Sequence, residues 1–159
     1  IRLNARYPNA YNNRGRVYAD QGDYVRALND YDEAIRLDAT YADAYYNRAR
    51  AHATRRNLDR AIADYSEAIR LNPNYPNAHN NRGRAYFERR DFVRALPDFN
   101  EAIRLNPQYA DAYYNRGRAY AELNDFARAF ADYDEAMRLD PDMTAAVRAR
   151  TQARQRVVR

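Results

Sequence analysis

The sequence predicts an all-α fold, a solenoid in which four helix–turn–helix repeats are followed by one C-terminal helix. The pattern of residues Tyr11–Tyr18 returns three times, each time 34 residues after the last, and a fixed period of this length is typical of stacked supersecondary units. Within each period, apolar residues recur at helical spacing in two separate stretches. Residue types that end helices, namely glycine, asparagine and proline, separate these stretches.

The elements follow in order from this period. Residues 1–7 match the end of each later repeat, so we expect them to finish a second helix of a preceding repeat and the chain to be a segment of a longer array. Residues 144–159 restart the first-helix pattern, so we expect a capping helix there. The four complete repeats predicted between these segments span 8–41, 42–75, 76–109 and 110–143.

Each repeat is predicted to be a helical hairpin with a tight turn. In the first repeat, Gly22 ends the first helix and Asp23 caps the second. The same capping position is occupied in the later repeats by Asn57, Asp91 and Asp125. A small residue at one position of each first helix lets the second helix approach closely. These small residues are Gly15, Ala49, Gly83 and Gly117.

The charge of the chain is concentrated at its C-terminal end. The chain contains 27 Arg and no Lys, 22 acidic residues and no Cys, and its formal net charge is +5. Residues 1–143 are formally neutral, and the whole excess lies in residues 144–159. A basic excess favours nucleic acid or another anionic partner, but here only the last segment carries it. No run of 18 apolar residues is present, so no membrane span is predicted.

Little in the sequence supports catalysis. The two histidines, His52 and His79, replace Tyr at positions of the apolar pattern, so packed rings are favoured over a general base or a metal ligand. The four Gly residues form no phosphate-binding loop. We therefore predict no enzyme activity, no catalytic residue, no metal site and no cofactor.

In the last complete repeat, Tyr113, Gly117 and Tyr120 are followed by Ala129, Tyr133 and Pro141. The spacing of these residues resembles the tetratricopeptide repeat (TPR) motif, in which W-x2-L-G-x2-Y is followed by A-x3-F and then P. The resemblance covers essentially the whole chain and implies a right-handed superhelix whose first helices line a concave groove. It also implies a scaffold for protein–protein interaction, with a protein or a peptide as partner.

One departure from the motif recurs in every repeat. The position that the family usually fills with Leu is Arg, and an Asp follows 16 residues later on the second helix. Because a charged side chain on a packing face needs a partner, we predict a buried ion pair within each repeat or between neighbours; contact with a ligand is the alternative. The residues are Arg14, Arg48, Arg82 and Arg116 with Asp30, Asp64, Asp98 and Asp132.

Three rows of first-helix residues lie off the packing stripe and are predicted to contact an extended peptide. The Asn row is Asn13, Asn47, Asn81 and Asn115; the Arg row is Arg16, Arg50, Arg84 and Arg118; the alternating row is Asn12, Tyr46, Asn80 and Tyr114. An Asn amide offers both donors and an acceptor, so a ladder of them can hold a peptide main chain, as in the asparagine ladders of some TPR domains. Acids follow four residues after three of the Arg row, so we place an acidic ligand side chain near Arg50.

Other interpretations stay open at this point. The Asn row has a structural alternative, namely a helix cap or a hydrogen bond between the helices of adjacent repeats. Head-to-tail self-assembly is a second functional hypothesis, because residues 1–7 are an unfinished second helix and residues 144–159 an unpaired first helix. Nucleic-acid binding is the least favoured. It would use the C-terminal Arg residues and the turn residues Arg55, Arg56, Arg89 and Arg90.

Overall fold

A computed structural model describes residues 7–157; the segment predicted at residues 1–7 therefore lies outside the described residues except for Tyr7, as do residues 158 and 159. The described part of the chain consists of nine helices and contains no strand, which confirms the all-α class. Odd-numbered helices are the first helices of the repeats and even-numbered helices the second. Their bounds are α1 Pro8–Asp20, α2 Tyr24–Leu37, α3 Ala42–Thr54, α4 Leu58–Leu71, α5 Pro76–Glu88, α6 Phe92–Leu105, α7 Ala110–Glu122, α8 Phe126–Leu139 and α9 Thr144–Val157.

The chain divides into two compact units, residues 1–78 and residues 79–159, which we describe separately as unit 1 and unit 2. In unit 1, α1 packs on α2 and α3 on α4, while α2 and α1 both contact α3. In unit 2, α7 packs on α8, α6 on α7, and α9 against α8 and α7. The helix within residues 144–159 therefore packs on the last hairpin, as its sequence predicts.

The turn inside each hairpin closes in the same way. In the first, the N–H of Asp23 donates to the carbonyl of Tyr18 at 2.8 Å and the N–H of Gly22 to that of Ala19 at 3.0 Å, the two bonds of a Schellman motif. This motif requires a left-handed residue, which Gly22 provides at φ 79°. In the later turns, residues with side chains adopt this conformation, namely Arg56, Arg90 and Asn124.

The predicted caps of the second helices are confirmed at three of the four turns. Asp23 accepts a hydrogen bond from the N–H of Arg26 at 3.0 Å, which lowers the pKa of its carboxyl group. Asp91 and Asp125 cap α6 and α8 in the same way. Asn57 is the N-cap residue of α4, but its side chain accepts no such bond. The predicted position is therefore correct there, but the predicted capping bond of the side chain is not formed.

The core of each hairpin is an aromatic ring of the second helix placed on a small residue of the first. A Cβ atom added to Gly15 would lie 2.7 Å from Tyr31, and one added to Gly83 would lie 2.7 Å from Phe99. At Gly117 the distance to Tyr133 would be 2.9 Å. The helices therefore approach as closely as the ring allows, as predicted from the small residues.

The predicted ion pairs are present in all four repeats. In each case the Arg of the first helix contacts the buried Asp of the second helix of its own repeat. Arg48 also donates to Asp32 of the preceding repeat at 2.7 Å, so it ties two repeats together, and its hydrogen bond to Asp64 raises its pKa. The distances are 2.6 Å for Arg14–Asp30 and 2.7 Å for Arg48–Asp64, Arg82–Asp98 and Arg116–Asp132.

Both histidines are packed in the interior, as the sequence predicts. His52 is 7% exposed and its Nδ1 atom has no hydrogen-bond partner. Burial is the main cause that lowers the pKa of His52, and it outweighs the opposing attraction of Asp64. His52 therefore gains a proton less readily in the folded protein than in the unfolded chain.

This burial predicts a pH dependence of stability. Since an unfolded His has a pKa of about 6.5 and that of folded His52 is lower, the free energy of unfolding should fall as the pH drops below about 6.5. The variant His52→Tyr carries the residue found at Tyr18 and Tyr120 and should lose part of this dependence. Urea-unfolding midpoints of both proteins, measured from neutral to mildly acidic pH, test this. Parallel curves would contradict it.

Candidate functional site

In unit 1, the amides of Asn12 and Asn47 form a hydrogen-bonded pair between adjacent repeats. The Nδ2 of Asn47 on α3 donates to the Oδ1 of Asn12 on α1 at 2.9 Å. The Nδ2 of Asn12 in turn donates to the hydroxyl oxygen of Tyr41 at 3.2 Å. Asn12 is 3% exposed and Asn47 is 8% exposed. The network therefore joins the first helices of two repeats and fixes the orientation of the Asn47 amide.

Unit 2 contains the same network. Asn115 donates to Asn80 at 3.1 Å, and Asn80 donates to the hydroxyl oxygen of Tyr109 at 3.2 Å. The alternation of Asn and Tyr along the chain thus has a structural reason, because the amide pair forms once in each unit. This inter-helix bond is the structural alternative that the sequence left open for the Asn row.

The burial of these residues narrows the predicted contact surface. Asn12 and Asn80 are each hydrogen-bonded to two residues and only 3% and 2% exposed, so little of either side chain is accessible in this structure. The Asn row itself is not uniform, since Asn13 is exposed whereas Asn47 is buried. Contact between the row and a peptide stays a prediction.

The tyrosines of the alternating row pack against the second helices. The ring of Tyr46 lies 4.8 Å from the ring of Tyr75 and 5.9 Å from that of Tyr65, measured between centroids. The hydroxyl of Tyr75 donates to Asp43 at 3.0 Å, and burial raises the pKa of this tyrosine. In unit 2, the ring of Tyr114 lies 6.3 Å from that of Tyr133. Both tyrosines of the row therefore have fixed rings.

The Arg row is less neutralised than its sequence suggests. Within residues 7–157 no carboxylate lies at ion-pair distance from Arg16, Arg50 or Arg118. The acids that follow Arg16 and Arg118 by four residues, Asp20 and Glu122, do not pair with them. Glu122 instead lies 3.9 Å from Arg90 and 3.5 Å from Arg156, because these guanidinium groups reach it from neighbouring elements.

Two arginines of this row, Arg50 and Arg118, lie over aromatic rings instead. The guanidinium carbon of Arg118 lies 4.3 Å from the ring centroid of Phe87 and 5.5 Å from that of Tyr114. Arg50 lies 5.9 Å from the ring of Tyr46. Stacking of this kind restrains a guanidinium group while its N–H donors stay available. The N–H donors of Arg50 and Arg118 are therefore available to an anionic side chain.

Unit 1 contains a cleft of about 320 Å³ that brings members of two predicted rows together; we call it the first cleft. Asn47, Arg16 and Arg50 share its lining with Asp20 and Tyr31. Burial raises the pKa of Tyr31 to about 12, so its hydroxyl is protonated at any ordinary pH. The first cleft thus offers an amide and two guanidinium groups to a ligand, whereas Tyr31, which is 1% exposed, lies beneath them as part of the core. The rest of its lining is Ala19, Tyr24, Ala51 and Thr54.

Unit 2 contains a larger cleft of about 470 Å³ between α7, α8 and α9, which we call the second cleft. Of the predicted contact residues it contains Tyr114 and Arg118. The sequence did not predict the other residues of this cleft. Two of them nevertheless depart from the repeat pattern: Phe87 replaces an Ala, and Ala149 replaces an Asn. The lining is Phe87, Tyr114, Arg118, Ala121, Glu122, Tyr133, Ala145, Arg148, Ala149, Gln152, Ala153 and Arg156.

The remaining predicted contact residues are not gathered in either cleft. Asn13 and Arg84 are exposed on their helices, and Asn81 is half-buried. Asn115 is buried in its bond to Asn80. The part of the chain that the structure describes contains no group of three or more His, Asp or Glu side chains placed to hold a metal ion. None of the helices among residues 7–157 is long and apolar enough to span a membrane.

Tandem helical hairpins with small residues at the helix contacts define a helical-repeat protein. Residues 80–144 match one family model, described as a tetratricopeptide repeat, and residues 15–54 and 56–89 match a second, described as a TPR repeat. The chain therefore belongs to the tetratricopeptide repeat family. Proteins of this family are typically scaffolds for protein–protein interaction rather than enzymes.

Solved structures with the same fold agree with this assignment. The MamA protein is similar with a TM-score of 0.85 at 22% identity, over 93% of this chain and 81% of MamA. PilF of Pseudomonas aeruginosa matches with a TM-score of 0.85 at 21% identity, over 92% of this chain and 67% of PilF. The first TPR of Spaghetti (RPAP3), bound to the HSP90 peptide SRMEEVD, matches with a TM-score of 0.73 at 28% identity, over 77% of this chain and 97% of that one. A comparison with curated protein sequences found no significant match.

Proposed function

We propose that this protein is an interaction scaffold that binds an extended peptide segment along its first helices, with the Asn row contacting the peptide main chain. The observation that carries this proposal is the first cleft, where Asn47 lies beside Arg16 and Arg50. The family assignment supports a protein or peptide partner. No catalytic role is proposed.

The amide of Asn47 is suited to main-chain binding because it is already oriented. Its Nδ2 group is held by Asn12, while its Oδ1 atom accepts no hydrogen bond from any residue among 7–157. That oxygen can accept a hydrogen bond from a peptide N–H. A side chain that is fixed before binding loses little conformational entropy when the ligand arrives.

The charges of the first cleft favour an acidic side chain near Arg50, as the sequence predicts. Arg16 and Arg50 face one acid, Asp20, with which neither forms an ion pair. The similar domain of RPAP3 is bound to a peptide that contains two Glu and one Asp. That likeness supports an extended, partly acidic ligand for this chain, although the identity of its partner does not carry over.

The proposal predicts that Asn47→Ala weakens peptide binding by about three- to tenfold, since one hydrogen bond contributes about 0.5–1.5 kcal/mol. Peptides selected from a displayed random library on the wild-type protein serve as ligands, and fluorescence anisotropy gives their dissociation constants, which we expect to be about micromolar. The double variant Asn47→Ala with Asn81→Ala should weaken binding further. Methylation of a peptide main-chain nitrogen should weaken binding as well.

A matched control separates binding from folding. Asn29 is exposed on the second helix α2, away from the three rows, so Asn29→Ala should leave binding unchanged. Urea-unfolding midpoints show whether each variant stays folded. Peptide affinity that is unchanged in the folded double variant would contradict the proposal, and so would a double variant that fails to fold, because the row would then be structural.

Head-to-tail self-assembly remains a separate hypothesis, and one feature of α9 weighs against it. Thr151 on α9 occupies the position that Gly117 occupies on α7. A Cβ atom added at Gly117 would lie only 2.9 Å from the ring of Tyr133 on α8, so this position leaves no room for a side chain. A second helix packed on α9 as α8 packs on α7 would meet this β-branched side chain. Sedimentation at several concentrations tests the hypothesis, and association that rises with concentration would support it.

The ion pairs of α9 weigh against nucleic-acid binding through the Arg clusters, because they neutralise two of its arginines. Arg150 pairs with Asp134 at 2.6 Å, and Arg156 lies 3.5 Å from Glu122. Part of the C-terminal charge is therefore used inside unit 2. A titration with single-stranded DNA that showed steep salt dependence would reverse this assessment.

A further inference from the structure

The first and second clefts occupy equivalent positions in the repeat pattern. Eight residues of the first cleft have their counterparts, three periods later, in the lining of the second. The differences between the two clefts therefore show which ligand chemistry each one suits. The corresponding pairs are Arg16 and Arg118, Ala19 and Ala121, Asp20 and Glu122, Tyr31 and Tyr133, Asn47 and Ala149, Arg50 and Gln152, Ala51 and Ala153, and Thr54 and Arg156.

The polar amide pair of the first cleft is absent from the second. At the position of Asn47 the second cleft has Ala149, and at the position of Asn12 it has Tyr114. An amide that would hold a peptide main chain is thus replaced by a methyl group and an aromatic ring. Phe87 adds a second ring to the wall, at a position where the other three repeats have Ala. The second cleft is consequently suited to an apolar side chain.

The rim of the second cleft is cationic. Arg118, Arg148 and Arg156 line it together with a single acid, Glu122. Glu122 already faces Arg90 and Arg156. Within the described part of the chain Arg118 and Arg148 have no carboxylate partner. Two guanidinium groups are therefore left to attract an anion beside the aromatic wall.

We propose that the second cleft is a subsite for a bulky apolar side chain flanked by carboxylates, that is, for an acidic peptide segment carrying a Phe or a residue of similar size. The apolar side chain packs on Ala149 and on the rims of the Tyr114 and Phe87 rings, beside the guanidinium group of Arg118 that lies over both rings. The flanking carboxylates face Arg118 and Arg148. The cleft volume of about 470 Å³ falls within the range of roughly 300–1,000 Å³ that is typical of ligand pockets. This subsite deepens the proposed peptide binding and rests on it.

The probe for the test is the peptide fluorescein-GDEFEDG-amide, measured by fluorescence anisotropy against the whole chain. Replacing its Phe by Gly should weaken binding by at least about tenfold, because the buried apolar surface is lost. Replacing its four acids by Lys should abolish binding. A wild-type protein that does not bind the acidic Phe probe would overturn the subsite.

Two variants in the second cleft and one control variant outside it show where the probe binds. Arg148→Gln should weaken binding of the probe by about three- to fivefold. The control Arg154→Gln removes the same charge from an exposed position of α9 outside the cleft. It should change the affinity by less than about twofold. Ala149→Asn places an amide in the cleft, as at Asn47, and should weaken the probe by about fivefold. Equal effects of Arg148→Gln and Arg154→Gln would show non-specific attraction and overturn the proposal.

These experiments distinguish failure of the subsite in the second cleft from failure of main-chain binding by the Asn row. If Asn47→Ala weakens the library-selected peptides while the probe is insensitive to Arg148 and Ala149, the subsite is wrong and main-chain binding stands. If the probe responds to both changes in the second cleft but the selected peptides are insensitive to Asn47, the subsite stands and the role of the Asn row is wrong.

Discussion

Replacing Arg48 by Leu is expected to lower the free energy of unfolding by about 3 kcal/mol, although Leu is the residue that TPR motifs usually carry at this position. The loss comes from Asp64, which is 8% exposed and hydrogen-bonded to Arg48 through both carboxylate oxygens. Without the guanidinium group, a carboxylate would be left buried and unpaired. We place the loss at the lower end of the range for buried pairs because 22% of the Arg48 side chain is exposed.

The double variant Arg48→Leu with Asp64→Leu tests the cause. Since well-packed apolar residues often replace a buried ion pair at no cost in stability, the double variant should recover to within about 1 kcal/mol of the wild type. Asp32, the second partner of Arg48, is mostly exposed and stays hydrated. Urea-unfolding midpoints followed by circular dichroism give the comparison, with full transitions recorded because repeat arrays need not unfold in a single step.

A surface pair serves as the control for this prediction. Arg36 pairs with Glu33 on α2, and 66% of the Arg36 side chain is exposed. The variant Arg36→Leu should therefore lose far less stability than Arg48→Leu. A loss at Arg48 as small as that at Arg36, or a double variant no more stable than the single one, would show that the interior pair does not hold the repeat.

The repeat period was sufficient to predict the fold, including features that individual residue types would not indicate. Gly22 signals a helix end by itself, but Arg56, Arg90 and Asn124 adopt the same left-handed conformation without being glycine. Their turns were predicted from the spacing alone. The same holds for the pairing of Arg48 with Asp64, because an offset repeated in every unit indicates a contact.

The candidate site could be predicted only in part, because its hydrogen bonds join residues that are far apart in sequence. Asn47 bonds to Asn12, 35 residues away, and which of the two amides stays reachable depends on how α1 and α3 pack. The sequence shows the two rows but not their pairing. The repeat pattern shows that Tyr114 and Ala149 replace this amide pair. Only the packing of α9 shows that these two residues line a cleft.

Replacing Phe99 by Ala is expected to lower the free energy of unfolding by about 4 kcal/mol, within the range of about 3–5 kcal/mol for deleting a buried aromatic ring. Phe99 is fully buried on α6 and packs over Gly83. Because Gly83 has no side chain that could fill the space, the cavity left by the ring cannot be closed from that side. Phe99→Tyr, which matches Tyr31 and Tyr133 at the equivalent positions, should lose much less.

Phe87 provides the matched control within the same unit. It is half-buried on α5, and its equivalents in the other repeats are Ala19, Ala53 and Ala121, so Phe87→Ala should lose only about 1 kcal/mol. Urea-unfolding midpoints of the three variants are compared with that of the wild type. The close contact between ring and glycine predicts a large difference between Phe99 and Phe87. Similar losses for the two Ala variants would mean that the hairpin is held mainly by its ion pair and not by this contact.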